Sequence, residues 1–191
     1  MNNMVKQGTP GWRTALLVLP MVLAAACGNK DDDPVDTGAD VVTLPNIYIN
    51  EFMASNSSTY ADESGAFPDW IELYNASNED ADLTGWWITD DNTEPMKHEI
   101  LEGVVVPAGG FFVLFADGDI DQGVNHLSFS LDADGEDIGL YGPSEFDTPE
   151  IDALDAYPVQ ITDISLARTP DGSPQFEATE NPTPGASNGG R

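Results

Sequence analysis

Cysteine occurs once in the 191 residues, at Cys27, so no disulfide can form within the chain. A folded domain must be held by packing, with or without a metal. Bases are nearly as scarce: six Lys and Arg stand against 34 Asp and Glu, for a formal charge of −28. Nucleic acid is bound largely by cationic side chains that displace counterions from phosphates, so this balance makes DNA and RNA poor ligands. Divalent cations and basic partners suit it better. The only histidines are His98 and His126; neither has companions at ligand spacing, which places each on the surface or at a strand edge. Also absent are a Gly-x-Ser-x-Gly elbow, a phosphate-binding glycine loop and a His-Glu-x-x-His pair. No apolar run approaches the roughly 20 residues that a membrane-spanning helix needs.

What apolar run there is lies near the start. Lys6 and Arg13 precede a stretch of small and aliphatic residues at positions 15–26, interrupted by Pro20 and ending at Cys27. This is the pattern of a cleaved export signal over residues 1–26. The segment Leu23-Ala24-Ala25-Ala26-Cys27-Gly28 resembles the lipobox of bacterial lipoproteins, with Ala24 three places before the cysteine and Leu23 one further out. The resemblance implies lipidation of Cys27, with ordinary signal-peptide cleavage as the alternative. Each buried CH₂ contributes about 0.8 kcal/mol, so two or three acyl chains would anchor the protein permanently. Gly28 after the cysteine resembles an outer-membrane lipoprotein, and the expected location is membrane-anchored and extracytoplasmic, at the outer membrane or cell surface. Because both leader cations are lost and no acid is, the processed chain keeps four bases and 34 acids, a charge of −30.

Residues 27–45 are rich in Asp, Gly, Pro and Thr, with almost nothing apolar before Val41. Repulsion among Asp31, Asp32, Asp33, Asp36 and Asp40 keeps such a segment extended, so the lipidated cysteine and an acidic disordered linker should hold a domain away from the membrane. These aspartates lack the Asp-x-Asp-x-Asp-Gly spacing of a calcium loop.

From residue 46 to 189 the pattern changes to short runs of Ile, Val, Phe, Trp and Tyr separated by Gly, Asp, Asn and Pro. That spacing predicts an all-β sandwich or barrel. Strands are expected at residues 47–54, 70–75, 85–89, 111–116, 137–141, 151–154 and 164–167. The stretch around Lys97 and His98 shows no alternation, and no window supports a long amphipathic helix. In Trp70-Ile71-Glu72-Leu73-Tyr74, Ile71 and Leu73 share one face while Trp70, Glu72 and Tyr74 share the other. Glycines in Pro107-Ala108-Gly109-Gly110, Ala116-Asp117-Gly118-Asp119, Ala133-Asp134-Gly135-Glu136 and Pro170-Asp171-Gly172 mark turns.

Several of these pieces together carry a family resemblance. The run Asn75-Ala76-Ser77-Asn78-Glu79-Asp80-Ala81-Asp82-Leu83-Thr84-Gly85-Trp86 is similar to a segment of the lamin tail domain. The strands Ile49-Asn50-Glu51-Phe52-Met53-Ala54-Ser55-Asn56 and Asp69-Trp70-Ile71-Glu72-Leu73-Tyr74-Asn75 resemble its opening strands in bacterial members. Val106-Pro107-Ala108-Gly109-Gly110-Phe111, Asp134-Gly135-Glu136-Asp137-Ile138 and Arg168-Thr169-Pro170-Asp171-Gly172-Ser173 follow in the family's order, with Pro182-Thr183-Pro184-Gly185-Ala186-Ser187-Asn188 as the closing pattern. The resemblance implies an immunoglobulin-like β-sandwich and an exported, surface-attached module.

Three functions fit these observations. The first is a lipid-anchored, extracytoplasmic, non-catalytic binding or scaffolding module whose partner is an unidentified protein or surface polymer. The second is a calcium-dependent adhesion or stability module. Its candidate ligands are Asp117, Asp119 and Asp121, three alternating carboxylates as in the first half of a calcium loop, but Gly123 comes one place late and Ser128 stands where the closing acid belongs. Asp90-Asp91-Asn92 is a weaker candidate of that kind. The third is a secreted hydrolase with paired carboxylates, to which 34 acids lend no specificity. Trp86-Trp87 reads as one core and one outward-facing tryptophan.

Overall fold

The computed structural model describes residues 43–189; the leader, Cys27 and most of the acidic linker lie outside the described residues. Eleven strands run in chain order as β1 (Ile47–Met53), β2 (Asp69–Asn75), β3 (Ala81–Asp82), β4 (Trp87–Thr89), β5 (His98–Glu99), β6 (Val105–Val106), β7 (Phe111–Ala116), β8 (Ile138–Tyr141), β9 (Glu150–Leu154), β10 (Ser165–Arg168) and β11 (Phe176–Thr179), with one 3₁₀ turn at Ser144–Phe146. They form an immunoglobulin-like sandwich of antiparallel sheets. One sheet has the order β11-β10-β1-β2-β7, the other β5-β4-β8-β9, and β3 pairs with β6 in a separate two-stranded sheet.

Period-two alternation explains the layering. Ile47, Ile49 and Phe52 of β1, Ile71 and Leu73 of β2 and Leu114 of β7 face Ile88 of β4 and Ile138 and Leu140 of β8, all within one buried cluster. Burial of each such side chain contributes about 1.5–3 kcal/mol. Trp86, Leu83 and Val104 fill the same core from the connections. Trp86 is 2% exposed and Trp87 only half-buried, as the sequence predicts, and the Trp87 indole N–H donates to Ser144 Oγ at 3.1 Å.

The seven expected strands form within a residue or two of their predicted bounds. Four others, β3, β5, β6 and β11, carry no sequence signal. Three of these have two residues each, too few to display alternation. His98 becomes a strand residue only because Ile88 offers it a partner. The turn at residues 133–136 requires its glycine: Gly135 has φ of 105°, and a Cβ there would lie 2.3 Å from the Tyr157 carbonyl oxygen.

Arg168 ties the layers together. Its Nε donates to the Ile49 carbonyl at 2.7 Å, and its Nη2 lies 3.0 Å from both oxygens of Asp152 in β9. Asp152 also accepts the Ile49 N–H at 2.8 Å. The guanidinium stacks 4.4 Å from the Phe176 ring of β11. This joins β10, β1, β9 and β11 at the place where β1 carries an extra residue, Asn50, between Ile49 and Glu51. The inserted residue reverses the parity of β1 and turns Glu51 away from the core.

Candidate functional site

The outer face of the five-stranded sheet holds the polar chemistry. Strand register arranges it in three rows. Tyr48, Tyr74 and Phe111 form an aromatic row, Glu51, Glu72 and Val113 a middle row, and Met53, Trp70 and Phe115 an apolar row. In the aromatic row the Tyr74 and Phe111 rings stack with centroids 5.1 Å apart.

Two connections cover this face from opposite sides. The first follows β1. Asp163 holds its start by accepting from the backbone N–H and hydroxyl groups of both Ser57 and Ser58. Those donors lower the Asp163 carboxyl to about 2. Asn56 donates to the carbonyls of Tyr60 and Pro68, both at 2.7 Å. Asp62 closes the tip by accepting from Ser64 and Ala66. Tyr60 is thereby laid over the apolar row, stacked 5.7 Å from Phe115 and edge-on to Trp70 at 6.2 Å. The Trp70 indole N–H beneath it has no hydrogen-bond partner among the described residues.

The second cover is the closing segment, residues 180–189, which seats on the middle row. Glu51 and Glu72 are cross-strand partners and both are fully buried. Glu51 accepts from Ser165 Oγ, from the Thr183 N–H at 3.0 Å and from Thr183 Oγ1 at 3.0 Å. Glu72 accepts from Asn50 Nδ2 at 3.0 Å and from the Gly185 N–H at 2.6 Å. Asn188 donates to the carbonyls of Asn50 and Arg168, and Asn50 reaches Asp171 at 3.0 Å. Burial raises both glutamates, Glu72 to about 8, and the neighbouring Glu51 and Asp171 charges add to the effect on Glu72.

Between the covers a groove of about 410 Å³ remains open over β7, lined by Tyr60, Phe111, Val113 and Phe115 with Asp62, Glu63 and Asn125 on its rim and Gly185 at the far wall. Among the described residues strand β7 is the edge of its sheet. One end of that edge is occupied, because the Phe115 N–H donates to the Asn125 carbonyl and the Phe115 carbonyl accepts from the Leu127 N–H, each at 2.7 Å. The chain there is pinned by His126. Its side chain is buried, with Nδ1 at 2.8 Å from Asp117 and Nε2 at 3.2 Å from Glu63. Burial depresses its basicity but the two carboxylates outweigh it, so the imidazole is raised above its ordinary value.

The structure thus places the sequence candidates unevenly. Asp117 is turned to His126, and Gln122 Nε2 bridges it to Asp119 at 3.2 and 3.3 Å. Among the described residues no three acids or histidines converge as metal ligands. Asp90 pairs with Lys97, and Asp91 caps Thr93. His98 sits at a strand edge as expected, accepting from the Ser128 N–H at 3.1 Å. His126 does not: it is 1% exposed, a correction to its expected surface or edge position. Spacing alone does not signal that burial, since Asp117 lies nine residues earlier in the same connection and Glu63 is supplied by the connection between β1 and β2. Glu51 and Glu72 also escape the sequence reading. The alternation of β2 puts Glu72 beside Trp70 and Tyr74, which was the available signal, but only the covers bury that face.

The family model described as Lamin Tail Domain matches residues 42–169. The match ends before the closing segment that caps Glu51 and Glu72. No curated protein matches the chain.

Proposed function

This chain belongs to the lamin tail domain family, and from that premise we propose that it is a non-catalytic binding module displayed outside the cytoplasm by lipid on Cys27. The observation that carries the binding role is the aromatic groove over β7. Its walls are fixed before any partner arrives, by Asp163 on one side and the buried glutamates on the other. A preformed, shallow site of this kind suits recognition of a surface, because little ordering entropy remains to be lost. Its polar rim residues are engaged with one another: Glu63 with Asn125 and His126, and Asp62 with its own loop. They shape the groove and leave no nucleophile and base aligned in it. The lipobox-like segment and the acidic linker support display at a distance from a membrane, with the partner a protein or surface polymer and not a nucleic acid.

The test has two parts in intact cells. Metabolic labelling with an alkynyl fatty acid should tag the wild type and not Cys27→Ala, and the variant should leave the membrane fraction. A photo-crosslinking residue at Phe111 should then capture an envelope component that the same residue at Glu177, on β11, does not. Membrane retention of an acyl-free wild type would refute the anchor, and identical capture at both positions would refute the groove.

A further inference from the structure

The binding reading above leaves the partner's chemistry open, and β7 narrows it. In a regular antiparallel pair, alternate residues direct their N–H and C=O groups to the partner strand and the others direct theirs outward. Phe115 directs both groups away from β2, since they bond residues 125 and 127. The β2–β7 register is regular from Tyr74–Phe111 to Asp69–Ala116, so Val113 and Phe111 present their groups on that same outward side. Four backbone groups therefore face outward at the groove, next to a floor made by their own side chains. Among the described residues nothing pairs with these groups, and an unpaired edge of this kind is a template for one more strand.

Charge decides what that strand is. Of the 34 acids, five precede the described residues (Asp31, Asp32, Asp33, Asp36 and Asp40), leaving 29 among them against two bases, Lys97 and Arg168. Both bases are already in ion pairs, with Asp90 and Asp152. The groove rim carries Glu63, whose side chain is 69% exposed, while Asp62 beside it is buried and turned into its own loop. A second copy of the chain would bring the same negative edge to the contact. A basic extended segment meets opposite charge on the rim and aromatic faces on the floor, where cationic side chains bind well.

We propose that the open edge of β7 accepts an extended, lysine- or arginine-bearing segment of a partner protein as an added antiparallel or parallel strand. Backbone bonds to Phe111 and Val113 hold it, and side chains on its inward face lie along the groove between Tyr60 and Gly185.

The probe is a fluorescent eight-residue peptide alternating Val and Lys, titrated by anisotropy against the full chain in detergent. The wild type should bind it, and a Val–Glu analogue should bind at least tenfold more weakly. A Val–Lys analogue N-methylated at alternate residues keeps its charge but loses the donors that face β7; it too should bind at least tenfold more weakly in one of the two methylation registers. Val113→Pro, which removes the outward donor at an edge position that tolerates proline, should weaken the parent peptide similarly while its urea midpoint stays near that of the wild type. Equal affinity for parent and both methylated peptides would overturn strand addition and leave charge attraction alone. Dimerisation of the wild type that Val113→Pro abolishes would assign the edge to a second copy and overturn the proposal. If no peptide binds but crosslinking at Phe111 still captures an envelope component, the basic-strand proposal fails and the binding module stands.

Discussion

Glu72→Gln should reverse its effect on stability between acid and alkaline pH. The folded chain holds the Glu72 carboxyl at about 8, against an ordinary value of 4.5. Between those two values the unfolded chain has released a proton that the folded chain keeps. Stability attributable to this group is therefore complete below about 4.5 and falls as pH rises toward 8, by about 1.4 kcal/mol per unit. Over pH 5 to 8 that amounts to roughly 3–4 kcal/mol, undiminished by solvent because the residue is 0% exposed. Glutamine carries no such dependence, but it has its own cost. Asn50 Nδ2 and the Gly185 N–H both donate to the carboxyl, so the amide NH₂ must oppose one of them, at about 1–2 kcal/mol. The variant should thus be less stable than the wild type at pH 5 by that amount and more stable at pH 8 by about 2 kcal/mol. Urea unfolding at half-unit intervals from pH 5 to 8 measures the difference directly. Repulsion among the exposed acids contributes to both proteins and cancels. Glu51 shares the site, so the pair titrates jointly, and its relief in the variant acts in the same direction. Parallel stability profiles for the two proteins would refute the assignment of this proton to the buried pair.

Three further outcomes follow from the packing. His126→Ala should cost about 3 kcal/mol at pH 6, because it leaves Asp117 without its buried cation. Since the imidazole is raised in the folded state, that difference should be complete below about 6.5 and shrink as pH rises through the elevated value, which a pH series of thermal melts checks. Arg168→Lys should cost about 3 kcal/mol in urea unfolding, because one ammonium cannot serve Ile49, Ser173 and both oxygens of Asp152 together; a loss below about 1 kcal/mol would show the fork to be dispensable. Trp86→Ala should cost about 3–5 kcal/mol and Trp87→Ala less than about 1.5, a contrast readable from midpoints alone.

What the sequence determined by itself is the part encoded locally. Seven strands, their alternation and their glycine turns were legible because each depends on side chains adjacent along the chain, as in residues 70–74. Inward packing of Trp86 with outward Trp87 followed from the same period of two. The family, too, was legible from ordered short segments, each of them local. Tertiary structure alone decided which acids matter. Glu51 faces outward because an extra residue at Asn50 shifts the register of β1, and it is buried only because Thr183, 132 residues away, closes over it. His126 is buried and not a surface histidine because Glu63, from the connection between β1 and β2, and Asp117, from its own, converge on the imidazole. The open edge of β7 exists because, among the described residues, no strand follows it in the sheet order. Burial of a charged group depends on what covers it, and the covering segments here come from far along the chain.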